Sequence, residues 1–177
     1  MRLILASASP RRQELLRRAG IEFEARESAV EERRCPGETA EDLAPRLARE
    51  KALDIAASSA AGSLVLGADT VVVIEGHVLG KPADAADAAR MLRLLSGRTH
   101  RVITGVCLVR APGAVERLEA EATWVYFRSL DESEIQEYVA SGEPFDKAGA
   151  CSIQGLGSKF VTRIEGDYFN VMGLPVA

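Results

Sequence analysis

Leu64-Val65-Leu66-Gly67-Ala68-Asp69-Thr70-Val71-Val72-Val73-Ile74 is the stretch that decides how this chain folds. It is rich in β-branched residues and almost wholly apolar, which predicts a strand buried on both faces. Glu75-Gly76 turns it back into residues 77–79. Outward from this run, strand and helix signals alternate. Residues 2–6 read as a strand, and Ser9-Pro10 opens a helix that Gly20 ends. Residues 21–26 read as a second strand. A helix is expected over 39–58, with Thr39 and Asp42 as a capping box and Pro45 as a kink or a later start. Residues 85–95 read as a helix stopped at Gly97. Strands at about 100–110 and 119–128 flank Pro112-Gly113, and Asp131 with Glu134 opens a short helix ended by Gly142. A Gly-rich stretch, 142–157, then leads to a last strand pair across Gly166-Asp167. The fold class is α/β with a mixed sheet and flanking helices.

With 177 residues, the chain makes one domain, or two small lobes sharing one core. No apolar run approaches the ~20 residues that span a bilayer, so no membrane partner is expected. Leu3-Ile4-Leu5-Ala6 is too short for the core of a signal peptide. Cys35, Cys107 and Cys151 are odd in number and widely spaced, which suits neither a disulfide framework nor a zinc site. A reducing, cytoplasmic location is expected. The net charge of −4 argues against nucleic-acid binding, which wants a basic face. A small anionic ligand stays possible wherever cations gather.

Three places break the local rules. Arg11 and Arg12 occupy the second and third positions of the first helix, where the helix dipole disfavours cations. With the free backbone N–H groups they would form a phosphate site; the bland alternative is two solvated arginines. Lys51 falls near the middle of an apolar arc of Leu43, Ala44, Leu47, Ala48 and Ile55. It either snorkels to the edge or meets an anion. Asp69 interrupts the central run, and a carboxylate there needs a cation, a metal or several donors. It either locks the strand in an ion pair or does chemistry, and Gly67 favours chemistry by letting another group approach the backbone. Lys81, Glu31-Glu32 and Asp146-Lys147 read individually as solvated groups, and His77 and His100 as ordinary. Together, carboxylates and Lys/Arg on separate loops have the composition of a metal–polyphosphate site.

Several motifs stand in order: Leu5-Ala6-Ser7-Ala8-Ser9-Pro10-Arg11-Arg12, Leu47-Ala48-Arg49-Glu50-Lys51-Ala52, Gly67-Ala68-Asp69-Thr70 and Leu79-Gly80-Lys81-Pro82. Leu95-Ser96-Gly97 with His100, Asp146-Lys147-Ala148-Gly149-Ala150 with Ile153-Gln154-Gly155, and Gly173-Leu174-Pro175 follow. In these the chain resembles the Maf family of nucleoside triphosphate pyrophosphatases over nearly its whole length. The resemblance implies a single domain over 1–177, two-lobed around one cleft, with an inosine-triphosphatase-like architecture and a homodimer. It implies cleavage of the α–β phosphate bond of a nucleoside triphosphate with a divalent cation (Mg, Mn or Co). Asp69 then resembles the general base or water-positioning carboxylate, and Glu32 and Asp69 the metal-side carboxylates. Arg12, Lys51 and Lys81 resemble the triphosphate clamp, assisted by Ser7 and Ser9.

Arg11, Thr70 and Gln154 match the family's dTTP/UTP branch, whereas the methylguanosine branch carries Trp, Gln and Glu there. An amide can accept from uracil N3–H and donate to O4 at once. The family's link to septum formation makes a division regulator the rival class. Two departures stand out: Cys151-Ser152 replaces the usual aromatic residue and Gly, and the chain stops at Ala177, where relatives continue into a C-terminal helix.

Overall fold

The computed structural model describes residues 2–176. The elements run β1 (Leu3–Ala6), α1 (Pro10–Arg18), β2 (Glu24–Arg26), α2 (Ala40–Ala57), β3 (Leu64–Ile74) and β4 (His77–Leu79). They continue α3 (Ala85–Leu95), β5 (Thr99–Arg110), β6 (Ala114–Phe127), α4 (Glu132–Ala140), β7 (Val161–Glu165) and α5 (Tyr168–Met172). Three 3₁₀ turns, Glu143–Asp146, Ala148–Ala150 and Gly155–Phe160, carry the Gly-rich stretch. All seven strands join one mixed sheet in the order β2-β1-β3-β5-β6-β7, with β4 also paired to β3. No helix is long and apolar enough to cross a membrane among the described residues. Cys35, Cys107 and Cys151 are all free thiols. Ala177, where a missing helix is expected, lies outside the described residues.

The central run is the strand the sequence predicts, and its alternation divides the core. From β3, Val71 and Val73 pack with Leu43, Leu47 and Ile103 beneath α2. Ala68 packs on the opposite face with Leu15, Leu16 and Met172. Val72 and Ile74 share that face with the cluster that holds α3 and α4. One face therefore belongs to α2 and the other to the remaining helices, as period-two alternation requires of a doubly covered strand.

The edges of β3 matter more for function. One edge is paired with β5 from Leu64 to Val73. The other edge is shared: β1 takes Leu64–Gly67 in parallel, and β4 takes Val72–Ile74 antiparallel. Between these partners, residues 68–71 carry no neighbouring strand on that edge. Asp69 and Thr70 sit in this break in the sheet.

Four local expectations are corrected. Helix α2 starts at Ala40 and continues through Pro45, so the later start is what the structure overturns. The carbonyl left without its usual donor is that of Glu41, in the exposed first turn where water can satisfy it. At Thr39 the hydroxyl caps Asp42 N–H at 3.2 Å but donates back to the Asp42 carboxylate at 2.6 Å, so the reciprocal half of a capping box is missing. The full box forms at Asp131 and Glu134. Strand β6 starts at Ala114, earlier than expected, because the hairpin with β5 extends to the turn. After β7 the chain forms α5 instead of a strand: Asp167 Oδ1 caps Asn170 N–H at 2.9 Å, and Gly173 closes the helix at φ 111°.

Candidate active site

A cavity of about 500 Å³ opens at the break in the sheet. Two loops reach it from opposite sides. Ser7 to Arg12 follow the end of β1, and Gly80-Lys81 follow β4. The remaining walls come from α2, the segment before it and the Gly-rich turns.

Asp69 and Lys51 meet at the floor, and the sequence explains why. A Cβ on Gly67 would lie 2.1 Å from the Ala48 carbonyl oxygen, and one on Gly105 would lie 2.3 Å from the Ala44 carbonyl carbon. Both glycines are therefore required for α2 to rest directly on β3 and β5. The group that Gly67 admits is thus the backbone of a helix. That close packing delivers Lys51, itself 7% exposed, to Asp69, which is 5% exposed. Lys51 Nζ donates to Asp69 Oδ1 at 2.6 Å and to Glu32 Oε1 at 2.6 Å. The lysine does not snorkel; it meets two anions.

Burial raises the Asp69 carboxyl above the ordinary aspartate value, with Glu32 adding repulsion, although Lys51 and Arg12 pull it down. Glu32 also loses solvation, yet Lys51, Lys81 and Arg12 outweigh that and hold it below its usual value. The two carboxylates on one lysine are thus pushed apart in acidity.

Arg12 arrives from the other face of the sheet. Its guanidinium is buried, donating from Nε to Gly173 O at 2.7 Å, from Nη1 to Ser7 Oγ at 3.2 Å and from Nη2 to Thr70 Oγ1 at 3.0 Å. Ser9 caps α1, accepting from Arg12 N–H at 3.5 Å. Arg11 turns outward to Asp146, with Nη1 2.6 Å from Oδ2 and Nη2 3.3 Å from the backbone oxygen. Neither arginine is merely solvated. Lys81 is exposed at the rim and forms no ion pair among the described residues. Gln154 lines the cavity from the Gly-rich segment. That segment is held by Glu143, whose carboxylate accepts Leu156 N–H at 2.9 Å and Gly157 N–H at 3.1 Å. All ten residues given a site role from the sequence therefore line one cavity.

Sequence reasoning underrated Asp146, the partner of Arg11, and missed Thr104 and the Gly173 carbonyl behind Arg12. A threonine in the apolar middle of residues 99–110 was the available signal for Thr104. His100 is not ordinary either. It is 1% exposed, lines the cavity, and places Nε2 4.0 Å from Cys151 Sγ. Burial pushes the imidazole down to about 4 and the Cys151 thiol up to about 12, so no thiolate–imidazolium pair forms.

The depressed imidazole has a measurable consequence. The unfolded chain takes up a proton at His100 near pH 6.5, whereas the folded chain resists until about 4. Its stabilising contribution is full above 6.5 and is lost as pH falls through that window, by about 3 kcal/mol in all. Urea unfolding across this window should show a shallower acid loss in His100→Gln than in the parent. Parallel curves for the two proteins would refute it.

A buried lysine between two carboxylates, with arginines and a lysine around the opening, is chemically suited to a small polyanion. The chain belongs to the Maf-like protein family, whose profile matches residues 2–177. The dTTP/UTP pyrophosphatase of Koribacter versatilis (strain Ellin345) is 55% identical over 177 residues, covering 100% of this chain and 90% of that one. The proteins of the same name from Syntrophomonas wolfei and Shigella sonnei are 53% and 52% identical, covering 98% of this chain and 91% and 87% of theirs. The solved nucleoside-triphosphatase / dITP/XTP pyrophosphatase of Mycobacterium abscessus overlays with a TM-score of 0.46 at 16% identity, covering 91% of this chain and 82% of that one. That likeness is too loose to carry an argument.

Proposed function

We propose that this chain hydrolyses dTTP and UTP to the nucleoside monophosphate and pyrophosphate. The observation that carries the reading is the Lys51 ammonium held between Asp69 and Glu32 at the floor of a cation-lined cavity. The names of relatives at 52–55% identity along nearly the whole chain support the choice of substrate.

Asp69 takes a proton from water as the water oxygen bonds to the α-phosphorus. The bond from that phosphorus to the α–β bridging oxygen breaks, and pyrophosphate leaves with the electron pair. The raised Asp69 carboxyl suits this role, because a base works best with a proton affinity near the working pH. Lys51 holds Asp69 in place, while Arg12 and Lys81 neutralise the triphosphate with help from Ser7 and Ser9.

A divalent cation fits the donor set. Glu32 and Asp69 each keep one oxygen beyond the one facing Lys51, and Mg²⁺ takes one or two carboxylates with water and phosphate oxygens. No group of three or more His, Cys, Asp or Glu residues could cage an ion without the substrate among the described residues. Bound there, Mg²⁺, Mn²⁺ or Co²⁺ would supply further neutralisation of phosphate charge. At the base, the Gln154 amide can accept from N3–H and donate to O4 of uracil or thymine, and Arg11 and Thr70 line the same cavity. The family resemblance extends the proposal to a cytoplasmic homodimer.

Purified protein should release pyrophosphate from UTP and dTTP, faster than from GTP or 7-methyl-GTP, and stop when the divalent cation is chelated. Release of orthophosphate would overturn the reaction, preference for 7-methyl-GTP the base assignment, and turnover in excess chelator the metal.

A further inference from the structure

Thr104 is wholly buried on β5, directly opposite Thr70 of β3. Its Oγ1 lies 3.1 Å from the Asn170 carbonyl oxygen and 2.9 Å from Thr70 Oγ1. Thr70 Oγ1 in turn receives Arg12 Nη2 at 3.0 Å, with the Gly173 carbonyl at 3.5 Å. A hydroxyl has one proton, and a carbonyl can only accept. Giving the Thr104 proton to Thr70 and the Thr70 proton to Gly173 would leave the Thr104 and Asn170 oxygens 3.1 Å apart with no proton between them, whereas the reverse leaves only the 3.5 Å contact without one, so the Thr104 proton goes to Asn170. Two oxygens 2.9 Å apart need a proton between them, so the Thr70 proton goes to Thr104. Were it turned to Gly173, the two hydroxyls would face each other with lone pairs alone. The direction of the chain is fixed: Arg12 donates to Thr70, Thr70 to Thr104, and Thr104 to the backbone of α5.

The far end of the chain is also anchored. Asn170 Nδ2 donates to the Val102 carbonyl at 3.1 Å and to Thr123 Oγ1 at 2.9 Å. Of the five N–H groups on Arg12, three are taken by Gly173, Ser7 and Thr70. This leaves one on each terminal nitrogen for a ligand.

We infer that Thr104 is a positioning residue for Arg12, acting through Thr70. The Thr70 proton is committed to Thr104, so it is not offered to a bound base. What Thr70 contributes to substrate choice passes through the plane of the Arg12 guanidinium. The inference rests on the proposed pyrophosphatase reading for its kinetic test only.

Thr104→Val removes the hydroxyl at nearly constant volume, and Thr104→Ser keeps it. Relative to the parent, kcat/KM for UTP should fall about tenfold in the valine variant, through kcat more than KM. The serine variant should stay within about twofold. In an Arg12→Lys background the valine change should add little, since residues acting through one group are not additive. NMR of the arginine guanidinium groups gives a readout independent of turnover: rotation of the Arg12 terminal nitrogens should be slow in the parent and in Thr104→Ser, and faster in Thr104→Val. Thr104→Ala serves in the same way if valine does not give folded protein. Parent kinetics in a folded valine or alanine variant, an equal loss in serine, or the full loss repeated on Arg12→Lys would overturn the inference. If the parent proves inactive, the pyrophosphatase reading fails, and the guanidinium rotation alone decides the role of Thr104.

Discussion

Asp69→Asn should remove nearly all turnover, by a factor of about 10²–10⁴, while leaving the folded state almost as stable as the parent. The two halves of this result have different causes. The amide keeps the shape of the side chain and can still receive Lys51 Nζ, which lies 2.6 Å from Oδ1. It cannot accept a proton from water, and it is a poor partner for a cation beside Glu32. On the stability side, the carboxyl is raised above its ordinary value by burial. A raised carboxyl means that folding disfavours the charged form relative to the unfolded chain. Replacing it with a neutral group therefore forfeits little. The parent itself should lose kcat/KM on acidification at a higher pH than an ordinary aspartate would dictate, since the base must be ionised. Steady-state kinetics and urea unfolding on the same preparations test both halves. An Asp69→Asn protein with substantial turnover would remove Asp69 as the base. One that unfolds several kcal/mol more easily would make the carboxylate a structural lock.

The parts of this molecule that were legible in the sequence are those in which one residue contradicts its immediate neighbours. Asp69 in an apolar run, Lys51 on an apolar arc and two arginines at a helix start are each costly locally, and each cost is offset at the same cavity. The order of elements was legible for a related reason. The two-sided burial of β3, the Ser9-Pro10 start of α1 and the Asp131–Glu134 box are set within a few residues. What stayed hidden depends on pairings distant along the chain. That β1 and β4 share one edge of β3, leaving residues 68–71 unpaired, is a matter of topology, which no window of sequence contains. The purpose of Gly67 could be sensed but not assigned, because its contact is the Ala48 backbone in another element. Asp146 looked solvated because Arg11, 135 residues away, gives no local hint of its presence. Helix α5 was misread for a different reason. Gly166-Asp167 is a good turn signal, but Asp167 also caps Asn170, and five helical residues are too few to display a period.

Lys51 and Lys81 should separate cleanly, the first in stability and the second in kinetics. Lys51 is buried with its ammonium between two carboxylates, whereas Lys81 is exposed with no ion pair among the described residues. Lys51→Met keeps the apolar stem in the core and deletes the charge. Asp69 is then a buried carboxylate without its nearest cation, and breaking such a pair costs about 3–5 kcal/mol. That cost is not constant with pH. Without Lys51 the Asp69 carboxyl rises further, so the folded state holds a proton that the unfolded state releases. A carboxyl raised on folding loses stability as pH climbs through its folded value. Lys51→Met should therefore be much less stable than the parent near pH 8 and recover part of the loss near pH 5. Lys81→Met should unfold like the parent at both pH values, because an exposed cation contributes about 0–1 kcal/mol. Its effect belongs to the kinetics: a fall in kcat/KM for UTP of about ten- to a hundredfold, as expected for one charge on a triphosphate clamp. Unfolding midpoints at the two pH values and kcat/KM for UTP, measured on both variants, decide the matter. A Lys51→Met protein as stable as the parent at alkaline pH would mean that Asp69 finds another cation, for which Arg12, already counted among its neighbours, is the first candidate. A Lys81→Met protein with parent kinetics would remove Lys81 from the clamp and leave Arg12 as the cation proposed to face the triphosphate.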